Sequence, residues 1–454
     1  MSFALFSFIV IMSLFLLRMI LQYYKNLDII EIEVKTFRYS FGGNIMKSFP
    51  LSAEQLKEVI DKFPTPFHIY DERTIKNNLQ RLKKAFDWVE FKEFFAVKAT
   101  PTPKIVKIFA EDGAGADCSS LPELLIAQKA GLSGQDIIMT SNDTPLDEFQ
   151  EALKLGAIIN LDDISHLDFL KKNAGLPERL CFRYNPADIS NEGNDIIGKP
   201  REAKYGLTRK QIFEAYKIAL ESGVKRFGLH TMVASNELYT QIFLTTAEIM
   251  FNLAVELKQK VGVELEFINL GGGIGIPYRP EDNPVDLEAV GEGIHKLYDE
   301  MLVKNGLHPM LAMESGRAMT GNAGWLVSTV RHLKHTYKDY VGLDSCMADL
   351  MRPALYGAYH HITVVGKENA PHDHIYDVTG SLCENNDKFA IDRSLPEVEV
   401  GDIVIIHDTG AHGHAMGFNY NGKLRHAELL IREGGEIEMI RRAETIDDYF
   451  ATLV

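Results

Sequence analysis

Residues 94–111 read FFAVKATPTPKIVKIFAE: an apolar run ending at a lysine, a Thr/Pro-rich turn, then a stretch with helical spacing of apolar residues. Phe94–Val97 reads as a buried strand and Ile105–Glu111 as the helix that follows it. The same unit recurs outward from this stretch. Strand-like runs fall at Ile137–Met139, Ala157–Asn160, Leu180–Tyr184, Phe227–His230, Phe267–Leu270 and Met310–Met313. Helix-like stretches lie between them at Glu123–Ala130, Leu146–Leu155, Gln211–Ser222 and Thr240–Val261. Such alternation over about 250 residues is the pattern of an α/β fold, the (β/α)8 TIM-type barrel, whose functional residues lie at strand C-terminal ends. Lys98, Asn185, His230 and Gly271–Gly273 occupy such ends.

After Arg317 the pattern turns β-rich, with runs at Trp325–Val330, Ile375–Val378, Asp402–His407, Glu428–Ile431 and Ile437–Arg441. A C-terminal all-β domain is therefore expected over 317–454, with the barrel over 71–316. The strand-like Pro66–Tyr70 suggests that 46–70 joins the β domain.

Of 454 residues, 46% are hydrophobic and 24% charged, as in an ordinary globular enzyme. The net charge of −15 argues against nucleic acid or an anionic membrane surface as partner. Cys118, Cys181, Cys346 and Cys383 show no metal-ligand or disulfide-framework spacing, which fits a reducing, cytoplasmic setting and no metal. Residues 1–17 (MSFALFSFIVIMSLFLL) are uncharged but short for a spanning helix, which needs about 20 residues. The extension 1–45 reads as an over-extended start, with Met46 as the true one, or as an N-terminal membrane anchor. A cleaved signal fits least.

Several short motifs carry chemistry. Burying the ammonium of Lys98 would cost several kcal/mol unless it is paired or neutralised. Burial favours the neutral, nucleophilic amine that forms an imine with an aldehyde, while the plainer alternative is a lysine snorkelling from a strand end. Asn269-Leu270-Gly271-Gly272-Gly273-Ile274-Gly275 lets backbone amides approach an anion, or is simply a tight turn. Glu314-Ser315-Gly316-Arg317 offers a carboxylate and a guanidinium that could pair with each other. Met351–His361 brings together an arginine, tyrosines and histidines. Cys383-Glu384 places a thiol beside a carboxylate, and Tyr420 supplies a phenol.

Taken in order, Lys98, the triple glycine, Glu-x-Gly-Arg, Arg352-Pro353-Ala354-Leu355-Tyr356, Cys383-Glu384-x-x-Asp387 and Tyr420-Asn421 resemble the fold type III pyridoxal phosphate decarboxylases. The likeness runs over residues 60–445 and is strongest to the diaminopimelate decarboxylases. It implies an alanine racemase-like barrel and pyridoxal 5'-phosphate as cofactor, with Lys98 as its Schiff-base lysine. Gly271, Gly272, Gly273, Ser235 and Tyr420 would hold the phosphate. Glu314 would sit at the pyridine nitrogen, keeping the ring protonated and favouring loss of CO2 over racemisation. Cys383 would donate a proton from a loop that enters a partner subunit's site, so a homodimer with shared active sites is expected. Arg317, Arg352, Tyr356 and Glu384 would bind an amino-acid substrate with a second amino-acid head, which describes meso-2,6-diaminopimelate, with L-lysine as product. Other amino acids, a carboxylated polyamine or a non-catalytic homologue are the alternatives. Two positions depart from the family pattern: Met232 stands where a ring-stacking histidine is expected, and His412 where a tyrosine is.

Overall fold

The computed structural model describes residues 47–187 and 201–454. The apolar 1–45 extension, with its readings as anchor or misplaced start, lies outside the described residues. Among the described residues no helix is long and apolar enough to cross a membrane, and no cluster of His, Cys, Asp and Glu could hold a metal ion.

The first strand, β1 (Phe67–Asp71), is followed by eight parallel strands that close into a barrel. These are β2 (Phe91–Ala96), β3 (Gly115–Cys118), β4 (Ile137–Thr140), β5 (Ile158–Leu161), β6 (Arg179–Tyr184), β7 (Arg226–Thr231), β8 (Phe267–Asn269) and β9 (Met310–Met313). β9 returns to β2, with Leu311 opposite Phe91. Helices join the strands, among them Pro103–Glu111, with proline in its first turn, and Leu146–Leu155, ended by Gly156 in the left-handed conformation.

The barrel interior is built in two layers. Phe94, Ile138, Ile158, Cys181, Phe267 and Ala312 form a buried apolar plug. Gly115 and Gly228 complete this ring, and they are glycine because a Cβ there would lie 2.6 Å from the Phe94 ring and 2.0 Å from the Phe267 ring. Side chains repeat every second residue along a strand, so the next inward layer is Ala96, Asp117, Thr140, Asn160, Arg183, His230, Asn269 and Glu314. That layer is almost entirely polar. The same arrangement explains why β3 has no apolar run. Its inward positions are a glycine that yields space and an aspartate of the upper layer, and only Ala116 and Cys118 pack outward in the main core.

The β domain is a mixed sheet assembled around β10 (Gly324–His335). It continues with β11 (Asp339–Leu343), β12 (Ile362–Val364), β13 (His374–Thr379), β14 (Lys388–Leu395), β15 (Ile403–Ile406), β16 (Ala427–Ile431) and β17 (Ile437–Arg441). β1 lies within this sheet, antiparallel to β10 and parallel to β16, so the chain enters the β domain before it enters the barrel. Two apolar clusters form the core, one around Leu326, Val341 and Tyr376, the other around Phe67, Ile69 and Leu429. Between barrel and sheet, the buried Glu428 accepts hydrogen bonds from Tyr70 Oη (2.6 Å) and Thr102 Oγ1 (3.2 Å) and pairs with Arg441.

Buried histidines line this junction. His68 Nε2–H donates to the Asp349 carbonyl, and His414 Nε2–H donates to that of His426. Burial lowers His68, His360 and His407 to about 3, and His361 and His414 to about 4. Below pH ~6.5 the unfolded chain binds protons that the folded chain refuses until pH 3–4, so stability is full above 6.5 and falls with acidification. Asp408, raised to about 6, and Asp117 and Glu93, pushed well up, all chiefly by burial, work the other way and offset part of this loss. The denaturant midpoint is expected to drop clearly between pH 7.5 and pH 5. Equal midpoints would mean that these histidines are protonated in place.

Candidate active site

The polar layer opens into a cavity of about 420 Å³ at the C-terminal ends of the barrel strands. Asp117, Thr140, Arg183, His230 and Glu314 line it from the barrel, and Arg352, Tyr356, His412 and Met416 from the β domain. Lys98 enters it from a single 3₁₀ turn, Val97–Ala99, directly after β2. Among the described residues its ammonium has no hydrogen bond or ion pair, and its side chain is exposed to the cavity. The burial expected from the apolar run belongs to Val97 and Ala99, because the turn rotates Lys98 out of the packed wall.

Glu314 is the most constrained group. His230 Nε2–H donates to its Oε2 (2.9 Å) and Asn269 Nδ2–H to its Oε1 (2.7 Å). Burial alone would raise its carboxyl, but the His230 imidazole, then Lys98 and Arg183, outweigh burial and hold it low. Asp117 goes the opposite way. Burial and then the Glu314 charge push it well up, and its Oδ1 is buried without a hydrogen-bond partner. Of these two acids, Glu314 is the readier to ionise and Asp117 the readier to keep a proton. Arg183 is anchored to Asp162 (3.2 Å) and stacks on Tyr205.

The glycine loop is only partly turned to the cavity. Gly273 lines it, together with Ser235, but Gly271 and Gly272 do not. Their amides are already used: Gly271 N–H donates to Asn269 Oδ1 (2.9 Å) and Gly272 N–H to Met232 Sδ (3.2 Å). They are glycines for packing, since a Cβ on either would lie 2.2 Å from the Thr231 or the Glu314 carbonyl. Met232, on the cavity wall, thus replaces the expected stacking imidazole with a thioether that caps a backbone amide.

At the β-domain end, Arg317 Nη1 and Arg352 Nη1 both donate to Tyr278 Oη, Arg352 at 2.6 Å. Both guanidinium groups also lie over the Tyr278 ring. Arg352 further donates to His360 Nε2 (3.2 Å), whose own Nδ1–H donates to the His407 carbonyl (2.8 Å). Arg317 and Arg352 are buried, line the cavity, and form no ion pair with any described acid. Glu314 and Arg317 therefore do not pair with each other. His412 also lines this end, in the left-handed conformation (φ 57°), tied through its N–H to the Ala99 carbonyl. Burial, reinforced by Arg317, Lys98 and Arg352, keeps its imidazole neutral.

Cys383, Glu384 and Tyr420 do not line this cavity. They share an exposed cluster, with Tyr420 hydrogen-bonded to Glu384 and Cys383 N–H donating to Asn421 Oδ1 (2.8 Å). Tyr420 thus stands apart from Ser235 and Gly273, with which it was expected to hold a phosphate. Asp117, Arg183 and Tyr278 are site residues that the sequence reading leaves out, whereas His230 and His360 are named in it only by place. The two-residue step beyond each apolar plug position would have found the first two.

Residues 72–321 match the family model of the pyridoxal-dependent decarboxylases, pyridoxal binding domain. The chain belongs to this family. It is 43% identical over 401 residues to Protein TabA of Pseudomonas amygdali pv. tabaci, covering 88% of this chain and 93% of that protein. It is 36% identical over 394 residues to diaminopimelate decarboxylase of Methanothermobacter thermautotrophicus, covering 86% and 92%. A crystal structure of diaminopimelate decarboxylase from M. jannaschii in co-complex with L-lysine superposes with a TM-score of 0.82 at 32% identity, covering 87% and 94%. The enzyme is a pyridoxal phosphate-dependent decarboxylase, and the cavity suits that cofactor: a lysine amine exposed in it, a carboxylate fixed on two donors, and Gly273 and Ser235 on its wall.

Because Gly272 is packed against the Glu314 backbone, Gly272→Ala is expected to destabilise the cofactor-free protein by about 1–3 kcal/mol in denaturant unfolding. Unchanged stability with only cofactor affinity lost would show a loop devoted to the phosphate.

Proposed function

We propose that this enzyme decarboxylates meso-2,6-diaminopimelate to L-lysine and CO2. The observation that carries the reading is the arginine pair: two buried guanidinium groups sharing Tyr278, facing the cavity without an acid. Such a pair is costly unless an anion arrives, and its geometry suits a carboxylate remote from Lys98. The diaminopimelate decarboxylases among its relatives, one of them in complex with L-lysine, support the same substrate.

Bound pyridoxal phosphate supplies an aldehyde for amine exchange and an electron-poor ring that takes up the electron pair left by CO2. Lys98 Nζ, exposed in the cavity, would hold the cofactor through its aldehyde carbon. Glu314, oriented by His230 and Asn269, would keep a proton on the ring nitrogen. The walls of Arg183, His230 and the β-domain residues limit water around the reacting carbon. The α-carbon then needs a proton, and a second copy's Cys383 is the proposed donor, with that copy's Glu384 binding the distal ammonium. The enzyme is accordingly a homodimer with shared sites, in which Tyr420 supports Glu384 rather than the phosphate.

The greater identity to Protein TabA, with Met232 and His412 on the cavity wall, favours one second reading: another amino acid carrying a second carboxylate. CO2 release measured across meso-diaminopimelate, ornithine, carboxynorspermidine and other dicarboxylic amino acids separates the two. Preference for ornithine or carboxynorspermidine would overturn both. Arg352→Ala is expected to lower kcat/KM for diaminopimelate by about a hundredfold or more while changing cofactor affinity less than about threefold. Equal losses would remove Arg352 from substrate recognition.

A further inference from the structure

One acid stands near the arginine pair and ought to compete with the substrate. Asp408 is buried in the loop after β15, close enough to Arg352 for the guanidinium to lower its pKa. Arg352 nevertheless forms no ion pair with it. The carboxylate is engaged by Lys47, whose Nζ lies 2.6 Å from Oδ2, with the two side chains only 8% and 6% exposed. The same ammonium donates to the Pro277 carbonyl, one residue before the Tyr278 that gathers Arg317 and Arg352. A lysine remote in sequence from both loops therefore holds the one that delivers Tyr278 and the one that leads to His412.

Lys47 and Arg352 are the cations that act on Asp408. The neighbouring His361 and His407 are lowered to about 4 and about 3, by burial first and partly by Lys47 itself, so both are neutral. Without Lys47 the buried Asp408 carboxylate loses the charge that lowers its pKa, and it either takes up a proton or pairs with the nearest cation. That cation is Arg352.

We propose that Lys47 is a positioning residue for recognition of the substrate's second carboxylate: by occupying Asp408 and fixing Pro277, it keeps Arg352 free to bind substrate. The inference rests on the arginine pair being a carboxylate receptor. It does not require that the substrate be diaminopimelate.

The test uses full-length holoenzyme and pimelate, a dicarboxylate without amines, as calorimetric probe, beside steady-state kinetics. Lys47→Met is expected to bind pimelate about tenfold more weakly and to raise KM for diaminopimelate by a similar factor, with kcat within about twofold. Lys47→Arg should retain most of the affinity. Lys47→Met/Asp408→Asn, which removes the competing charge along with its partner, should regain it, whereas a purely structural role for Lys47 would not be rescued. The proposal is overturned if Lys47→Met binds pimelate like the native enzyme, if the folded double variant stays tenfold weak, or if the native enzyme binds no pimelate. Should Lys47→Met fail to fold, the double variant alone decides. Native enzyme that binds pimelate but releases no CO2 from diaminopimelate would end the substrate assignment and leave this proposal standing.

Discussion

Two phenylalanine rings set against two glycines govern the rest of the barrel. Phe94 occupies the space that a side chain at Gly115 would need, and Phe267 that of Gly228. Protein interiors are packed too densely to absorb even a methyl group at such a contact. With the lower barrel filled, the next inward ring has apolar matter beneath it and open space above. Polar groups in that ring are desolvated from below, which is why burial leads the causes that push Asp117 upward. The plug thus decides both where the site lies and how strongly its groups interact.

Acids interact with Lys98, whereas the arginine pair has no ion-pair partner among the described residues. Asp117, Glu123 and Glu314 are the acids that act on that lysine, while the arginine pair faces the cavity from the β-domain side. Two neutral imidazoles keep the cationic end from becoming prohibitive. His360 donates through Nδ1 to a carbonyl, so its Nε2 can only accept from Arg352 and must be uncharged. His412 is kept neutral by burial first and then by the charges of Arg317, Lys98 and Arg352. The result is two fixed positive charges gathered on a shared phenol at one end of the cavity.

The barrel was legible wherever a strand is apolar on both faces, since continuous runs such as Ile137–Met139 mark strands packed between core and helices. It was illegible at β3, where Gly115 and Asp117 serve packing and chemistry instead of hydrophobic patterning. The motifs named Lys98, Gly273, Ser235, Glu314, Arg317, Arg352 and Tyr356, which the fold brings to one cavity. They could not show that Gly271 and Gly272 spend their amides on Asn269 and Met232, because that follows from how three loops approach one another. Tyr278 was equally hidden: a tyrosine five residues beyond the glycine run carries no signal until two arginines converge on it.

Cys383, Glu384 and Tyr420 raise a different question, since exposed loop residues usually have no fixed arrangement. Here they do. The buried Asp387 accepts from Leu382 N–H (2.7 Å) and Met347 N–H (2.7 Å), which holds the loop that bears Cys383. Gly380 sits against the same carboxylate, where a Cβ would lie 2.5 Å from Oδ2. Asn421 then fixes the Cys383 amide, and Glu384 is met by the Tyr420 hydroxyl. An exposed thiol and carboxylate on so constrained a backbone have had their ordering entropy removed in advance, which is the condition for completing a site supplied by another surface. Order in the sequence groups these residues with the cavity by chemistry. Only their placement shows that the chain presents them outward while its own cavity goes without them.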